Sequence, residues 1–262
     1  MKILSSVLSR RALALLVPAA LTLGGLPASA QQPAGMTAKE LAAKLSAQQQ
    51  DGSSLIRAKI EVKGSAGSSV MQVQIKSRRT AGQTDVVYQV LWPKERKGES
   101  ILVRSSGETA HFTPPDKMET GGLKQPLLGS DLSCEDTVEN FFAWPDQSFG
   151  AAEQVGGVAC QILESKGGRS SYSKVKSWVD LRRMVVMRVE KYSGNSVSRR
   201  IDTTDVATVD GKHLPANLTV QRPGQGSTTE VDGSRIKRGV SYTDADFTAE
   251  GIKKLDAPKG GD

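Results

Sequence analysis

The side chains with the greatest capacity for chemistry are two cysteines, Cys134 and Cys160, and two histidines, His111 and His213. Their spacing fits neither a C-x-x-C redox pair nor a zinc site, because no further His, Cys or carboxylate stands at ligand spacing. The sequence also lacks a G-x-S-x-G elbow and a P-loop. A thiol nucleophile built from Cys134 and a histidine has no local support. We therefore predict no enzyme, no catalytic residue, no metal and no cofactor.

The N-terminus is typical of an export signal. Lys2, Arg10 and Arg11 precede an apolar stretch over residues 12–26, and small residues follow it up to Ala30. The stretch has 15 residues, whereas a membrane-spanning helix needs about 20. We expect a signal peptide that is cleaved after Ala30 and a location in the periplasm. The paired arginine leaves the Sec and twin-arginine routes both open.

Export makes a disulfide between Cys134 and Cys160 the expected state, since the periplasm is oxidising. Cys134 falls on the apolar side of a predicted helix, and Cys160 falls in a strand-like run. A bridge would fasten helix to sheet. The alternative is two buried free thiols.

Removing residues 1–30 from the 262 leaves 232 residues, and removing three basic residues from the net charge of +7 leaves +4. This length suits one domain of β-sandwich or barrel type. Basic pairs at Arg78-Arg79, Arg182-Arg183, Arg199-Arg200 and Lys237-Arg238 are typical of a solvated surface. They also fit contact with anionic lipid head groups or an acidic partner. Sparse aromatics argue against nucleic acid, and we expect a monomer.

The mature chain begins with a short leader, residues 31–36, and a helix over Thr37–Gln50. Thr37 and Glu40 form a capping box there. From Leu55 the apolar residues recur at every second position, which is the period of a strand. Eleven strands are predicted: Leu55–Lys63, Val70–Arg78, Thr84–Trp92, Ser100–Ser105, Thr109–Thr113, Ala159–Ser165, Tyr172–Asp180, Val185–Tyr192, Ser196–Val206, His213–Gln221 and Thr228–Ile236.

Short turns between these strands indicate an antiparallel meander that forms a large open or partly closed barrel. The class is mainly β (α+β), with helices over the concave face. Prolines and glycines in Pro114–Gly129 predict an irregular loop. We also expect a terminal helical turn within Tyr242–Leu255 and a flexible tail over 256–262.

One further helix is predicted among the strands, starting at Ser133 and ended by Pro145. Ser133 and Asp136 have the form of a capping box, and the early acids Glu135 and Asp136 suit the positive end of a helix dipole. Four apolar residues share one face at helical spacing: Cys134, Val138, Phe141 and Phe142. Such a face must be buried, so this helix is expected to cover a curved sheet.

An apolar cavity beneath that helix is the predicted site. Its expected lining combines alternate strand residues with residues of the helix: Val73, Ile75, Val87, Leu91, Ile101, Val103, Val138, Phe141 and Phe142. Ordinary core packing is the simpler explanation for any one of them. Together they form the surface that a lipid carrier needs.

Four segments of this sequence resemble a known family, the LolA-like outer-membrane lipoprotein-sorting proteins, and within it the branch associated with RND-type exporters. The most distinctive segment is similar to a family motif, G-S-D-[FL]-S-x-E-D, which here comprises Gly129, Ser130, Asp131, Ser133, Glu135 and Asp136. The other three are Trp92–Leu102, Ser177–Asp180 and Val209–Pro215. The likeness covers approximately residues 37–255.

The resemblance implies one half-barrel domain over residues 37–255 that encloses a cavity for acyl chains. It implies a non-enzymatic periplasmic carrier of lipid or lipoprotein, with an inner-membrane RND-type exporter as a partner. No arginine of this sequence is aligned with the one that latches the lid in the lipoprotein carriers. The alternative function is a periplasmic regulatory or adaptor module that binds a protein, such as an anti-sigma factor or an exporter.

Overall fold

The computed structural model describes residues 35–49, 52–80 and 82–255. The predicted signal peptide (1–30), the first part of the leader (31–34) and the predicted tail (256–262) lie outside these residues. In the described part of the chain, no helix is long and apolar enough to cross a membrane.

The first helix, α1, spans Ala38–Gln49. It starts as predicted, because the Thr37 backbone N–H donates to Glu40 Oε2 at 2.7 Å and the Glu40 N–H donates to Thr37 Oγ1 at 3.2 Å. Leu41 and Leu45 lie one turn apart and are both buried. Helix α1 therefore has one packed face.

The described strands form a single antiparallel sheet of thirteen strands. They are β1 (Gly52–Gly64), β2 (Gly67–Arg79), β3 (Thr84–Trp92), β4 (Ser100–Arg104), β5 (Thr109–Thr113), β6 (Lys117–Gly121), β7 (Asp146–Val155), β8 (Val158–Lys166), β9 (Lys174–Asp180), β10 (Val185–Ser193), β11 (Ser196–Val209), β12 (Lys212–Gln221) and β13 (Thr228–Arg238). Two meanders, β1 to β6 and β7 to β13, join where β1 pairs with β13. Strands β6 and β7 are the two edges, so the sheet is open like a half-barrel.

The prediction of eleven strands is two too low, because it omitted the edge strands β6 and β7. Strand β6 lies inside the stretch Pro114–Gly129 that we expected to be irregular, and β7 begins directly after Pro145. Most residues of both strands are exposed. Neither edge strand shows the apolar alternation of a half-buried strand, and the prediction of strands depends on that alternation.

Adjacent residues of each strand point to opposite faces, and both faces bury apolar side chains. We call the face that carries Val73, Ile101 and Val103 the inner face and the opposite one the outer face. These three residues belong to one inner cluster, and a second inner cluster joins α1 to Leu163 and Val179. The outer face carries two smaller clusters. One of these is covered by the chain after β13, which forms 3-10 turns at Asp244–Phe247 and Gly251–Lys253.

The predicted helix from Ser133 to Pro145 is largely wrong. Helix α2 spans only Glu135–Val138, and a separate 3-10 turn spans Phe141–Ala143, with Glu139 extended between them. Val138 packs in the first inner cluster, whereas Phe141 packs in the second. The chain must extend between the two clusters to fill both, and this interrupts the helix.

Candidate functional site

The segment between the edge strands, residues 122–145, runs across the inner face of the sheet. We call it the crossing segment. Leu127 and Leu128, 0% and 4% exposed, pack with Val138 in the first inner cluster, and Phe141 and Phe142 pack against α1 in the second. Apolar side chains of one continuous segment thus pack into both inner clusters.

The carboxylate of Asp136 is the centre of the polar contacts that hold the crossing segment. Its side chain is 0% exposed. Oδ1 lies 2.9 Å from Lys191 Nζ on β10, and Oδ2 lies 2.7 Å from an Arg199 guanidinium nitrogen on β11. Tyr172 Oη donates to Oδ1 at 2.9 Å, and the Ser133 N–H donates to Oδ2 at 2.7 Å. Ser133 Oγ also donates to Oδ2, at 2.8 Å. A buried carboxylate surrounded by two cations and three further donors is fully satisfied.

The ionisation of this group follows from its surroundings. Burial alone would raise the pKa of Asp136, but Lys191 and Arg199 hold that pKa below its ordinary value. The same pairing with Asp136 and Glu139 raises the pKa of Lys191 despite its burial. Glu139 lies 3.5 Å from Lys191, yet burial outweighs this attraction and the pKa of Glu139 is raised.

Two other acids of the crossing segment bind other parts of the sheet. Asp131 accepts from Ser227 Oγ at 2.5 Å and from Thr229 Oγ1 on β13 at 2.8 Å. Its backbone carbonyl accepts from Arg199 Nε at 2.5 Å. Glu135 accepts from Ser170 Oγ and from the Ser171 N–H, both at 2.9 Å, in the β8–β9 loop. The three carboxylates therefore attach one segment to three separate places.

A further contact comes from the end of β2. Arg79 donates from Nη2 to the carbonyl of Thr137 at 3.0 Å. No carboxylate pairs with Arg79 among the described residues. Burial lowers the pKa of Arg79, with Tyr88 the nearest group that opposes this. The guanidinium is thus placed at the boundary between the sheet and the crossing segment.

A pocket of about 270 Å³ opens on the inner face beside Arg79, near the end of α1. Its apolar wall continues the first inner cluster and is formed by Ile56, Ile75, Val86, Tyr88, Leu214 and Ile236. Polar side chains complete the lining, among them Gln49, Ser77, Arg79 and Arg238. An apolar pocket with a few converging polar groups is typical of a small-molecule site.

Comparisons with known proteins agree with this architecture. A family model described as "-like: Uncharacterized protein" matches residues 82–254. A DUF1329 family protein from Desulfovibrio piger is 21% identical, with a TM-score of 0.75 over 82% of this chain and 97% of its own. A putative outer membrane lipoprotein-sorting protein domain from Vibrio parahaemolyticus is 17% identical, with a TM-score of 0.73 over 83% and 98%.

A LolA superfamily protein from Nitrosomonas europaea is 20% identical, with a TM-score of 0.67 over 81% of this chain and 98% of its own. The family model spans more than half of the chain, so the chain belongs to the family that this model describes, and it shares its fold with the three solved structures. No curated protein matches the sequence.

The structure brings most of the predicted lining residues to the inner clusters. Val73, Ile101, Val103 and Val138 share the first inner cluster, and Ile75 packs against it. Phe141 and Phe142 lie in the second inner cluster. These residues therefore pack on the inner face, and Ile75 also lines the pocket beside Arg79. Their role in binding a ligand stays a prediction.

Val87 lies on the wrong face for that prediction. It packs with Leu102 and Phe247 in an outer cluster. Leu91 is half-buried at a break in the β2–β3 register, so its place in β3 does not assign it to either face. Val86 and Tyr88 are the β3 residues that face inward. Because β3 is buried on both faces, its apolar run does not reveal which parity is inner.

The expected disulfide is also wrong, since Cys134 and Cys160 are both free and buried. Cys134 lies in the first inner cluster, whereas Cys160 lies with Trp178 and Met187 in an outer one. Burial raises the pKa of each thiol to about 11, so both stay protonated at neutral pH and are poor nucleophiles. Among the described residues, no group of three or more His, Cys, Asp or Glu could hold a metal.

The motif acids Glu135 and Asp136 were interpreted as helix-terminal charges, and the cationic partners of Asp136 were missed. Arg199 belongs to a basic pair that we took for a solvated surface, but it is 8% exposed and bound to Asp136. Lys191 is 1% exposed. One signal was available, because acids in an apolar segment that must be buried require buried cations elsewhere.

Proposed function

We propose that this protein is a periplasmic carrier that binds acyl chains of lipid or lipoprotein on the inner face and moves them toward the outer membrane. The observation that supports this is the crossing segment. It covers an apolar face but is attached through hydrogen bonds and ion pairs from three carboxylates. A core that serves stability alone does not need these buried charges, since replacing a buried ion pair with well-packed apolar residues is often neutral or stabilising.

Binding would proceed by displacement of the crossing segment. Leu127 and Leu128 pack in the same apolar cluster as Val86 and Tyr88, which line the pocket, so a long chain that extends from the pocket into this cluster would displace them. Burying about fourteen CH₂ groups at about 0.8 kcal/mol each contributes about 11 kcal/mol. That exceeds the cost of about 3–5 kcal/mol expected for breaking one buried charge network.

The contacts at Asp131, Glu135 and Asp136 would then close the site again after release. Each contact joins the crossing segment to a side chain of the sheet or of a loop between its strands, so closure needs no other protein. The sequence suggests an exporter of the RND type as the membrane partner. The predicted signal peptide supports export to the periplasm.

The test is uptake of a neutral apolar dye, N-phenyl-1-naphthylamine, by the purified mature protein. Dye fluorescence should rise with protein and fall when a diacylglycerol or a phospholipid is added as competitor. The variant Ile75→Trp fills the pocket and should lose uptake. Val206→Trp places the same ring against an outer cluster and should keep it.

Organic extraction of the protein as isolated gives an independent measurement, and we expect bound lipid. A protein without lipid that also fails to bind the dye would contradict the carrier function. A stoichiometric protein partner in a pull-down, together with an empty pocket, would instead support a binding module.

A further inference from the structure

The pocket beside Arg79 has an electrostatic feature that an acyl-chain site does not require. A guanidinium carries a permanent charge, and moving it away from water without an anionic partner is unfavourable. Arg79 is half-buried, and among the described residues it makes one hydrogen bond, to the Thr137 carbonyl, which is a neutral acceptor. Arg238 also lines the pocket, but it has an interaction of its own. Lys191 and Arg199 do not line the pocket, and both pair with Asp136.

The polar lining of the pocket has a second incomplete group. Gln49 lies at the end of α1 and lines the pocket with Arg79. Its Oε1 is buried and has no hydrogen-bond partner in the part of the chain that the structure describes. Buried polar atoms nearly always have partners, so an orphan acceptor beside a pocket indicates a missing donor such as a bound water or a ligand hydroxyl.

Apolar side chains line the same pocket. Val86 and Tyr88 on β3 and Ile75 on β2 lie in the pocket that Arg79 lines. A ligand that fits this lining has an apolar chain and a compact anionic head. Its carboxylate or phosphate can accept two parallel N–H bonds from a guanidinium.

We propose that this pocket selects amphiphiles with an anionic head group, and that Arg79 is the residue that determines this specificity. The inference rests on the carrier function proposed above, since it names the class of lipid that the same site takes. A carboxylate lipid and a phosphate lipid share the recognised chemistry. Comparing the concentrations of decanoate and of decyl phosphate that displace the dye shows whether the pocket prefers a carboxylate or a phosphate head group.

The experiment measures displacement of N-phenyl-1-naphthylamine from the mature protein by decanoate and by 1-decanol, which share a chain length. Decanoate should displace the dye at a concentration at least about tenfold lower than decanol, since a hydrogen bond to a charged group is worth more than a neutral one. In Arg79→Gln the ratio of the decanol concentration to the decanoate concentration that displaces the dye should fall to about one. Arg79→Lys should keep a preference for decanoate.

Arg182→Gln is the matched control. Arg182 is exposed and lies outside the pocket, so its removal changes the net charge equally and should leave the ratio intact. If Arg79→Gln does not fold, the salt dependence of displacement in the wild-type protein still tests whether the head-group charge is recognised. Raising salt from about 0.05 M to about 0.5 M should weaken decanoate and spare decanol.

Equal displacement by the two ligands in the wild-type protein would overturn the inference, and so would an unchanged ratio in a folded Arg79→Gln. Either result leaves the carrier function intact, because the dye still binds and is displaced. If neither ligand nor the dye binds, the carrier function itself fails.

Discussion

Two segments cover apolar faces of this sheet, and they are attached by different chemistry. Residues 240–255, here called the C-terminal cover, bury Phe247 and Ile252 against the outer face. Gln89 holds this cover through the carbonyls of Ile252 and Lys254, both at 2.8 Å, and Arg104 donates to the Phe247 carbonyl at 2.6 Å. The crossing segment buries a similar set of apolar residues, but three carboxylates attach it.

The difference concerns how each cover is released. Apolar packing with hydrogen bonds to backbone carbonyls is lost gradually as contacts are removed. A buried charge network gives little net stability when complete and costs much when one member is missing. The inner cover is therefore suited to two states, closed or displaced, and the outer cover to a permanent position.

The largest effect is expected from Asp136→Asn. Lys191 and Arg199 would remain buried beside a neutral amide, so the free energy of unfolding should fall by about 3–5 kcal/mol. Urea unfolding followed by circular dichroism measures this. Asp244→Asn is the control, because Asp244 is 95% exposed in its pair with Arg78 and its loss should cost about 0–1 kcal/mol. Equal losses in both variants would remove the distinction between the covers.

Truncating one apolar residue in each cover sharpens the comparison. Leu127→Ala and Ile252→Ala should each lower the free energy of unfolding by about 2–5 kcal/mol, since both side chains are 0% exposed. Uptake of N-phenyl-1-naphthylamine should rise only in Leu127→Ala, which enlarges the inner space. A matching rise in Ile252→Ala would show that the dye reports loosened packing in general.

A smaller loss is expected where the crossing segment meets β13. Thr229→Val keeps the shape of the side chain but removes its bonds to the Asp131 N–H and to Oδ2. The free energy of unfolding should fall by about 1–3 kcal/mol because Asp131 stays buried. Thr204→Val, at an exposed position, should change stability by less than about 0.5 kcal/mol. Identical urea midpoints for the wild type and Thr229→Val would exclude a role for this contact.

The smallest effect concerns Glu139, whose raised pKa means that the folded protein binds its proton more tightly than the unfolded chain does. Ionisation at neutral pH therefore costs stability, and Glu139→Gln should raise the urea midpoint slightly at pH 7. The gain should vanish below about pH 4, where the carboxyl is protonated in both states.

The ionisation of Asp136 has the opposite effect on stability. Its lowered pKa adds stability that is present above the ordinary carboxyl range, about pH 4, and is lost as pH falls below it. A Glu139→Gln variant that is less stable than the wild type at pH 7 would show that the Lys191 attraction dominates at Glu139.

Local sequence patterns predicted much of this fold. Every predicted strand overlaps a strand of the sheet, and the capping box at Thr37 and Glu40 forms. Period-two alternation succeeds wherever one face is buried. It failed at β6 and β7, because edge strands with exposed residues on both faces have no apolar period.

The site itself was only partly predictable. The apolar spacing of Val138, Phe141 and Phe142 indicated burial but not that the residues enter two clusters. The pairing of Asp136 with Lys191 and Arg199 joins residues more than fifty positions apart, and no local pattern encodes such a contact. The family motif marked the acids without revealing what they bind.

Native-state hydrogen exchange tests the central claim most directly, namely that the crossing segment opens while the sheet stays folded. The Cys134 N–H donates to the Gln125 carbonyl at 3.0 Å and the Glu135 N–H to the Leu123 carbonyl at 2.8 Å, both within the crossing segment. These amides should exchange through an opening that costs less than global unfolding and depends little on denaturant. Amides of β2 and β3 should exchange only on global unfolding. If all of them exchange together with the full denaturant dependence, the crossing segment is part of the permanent core and the account is wrong.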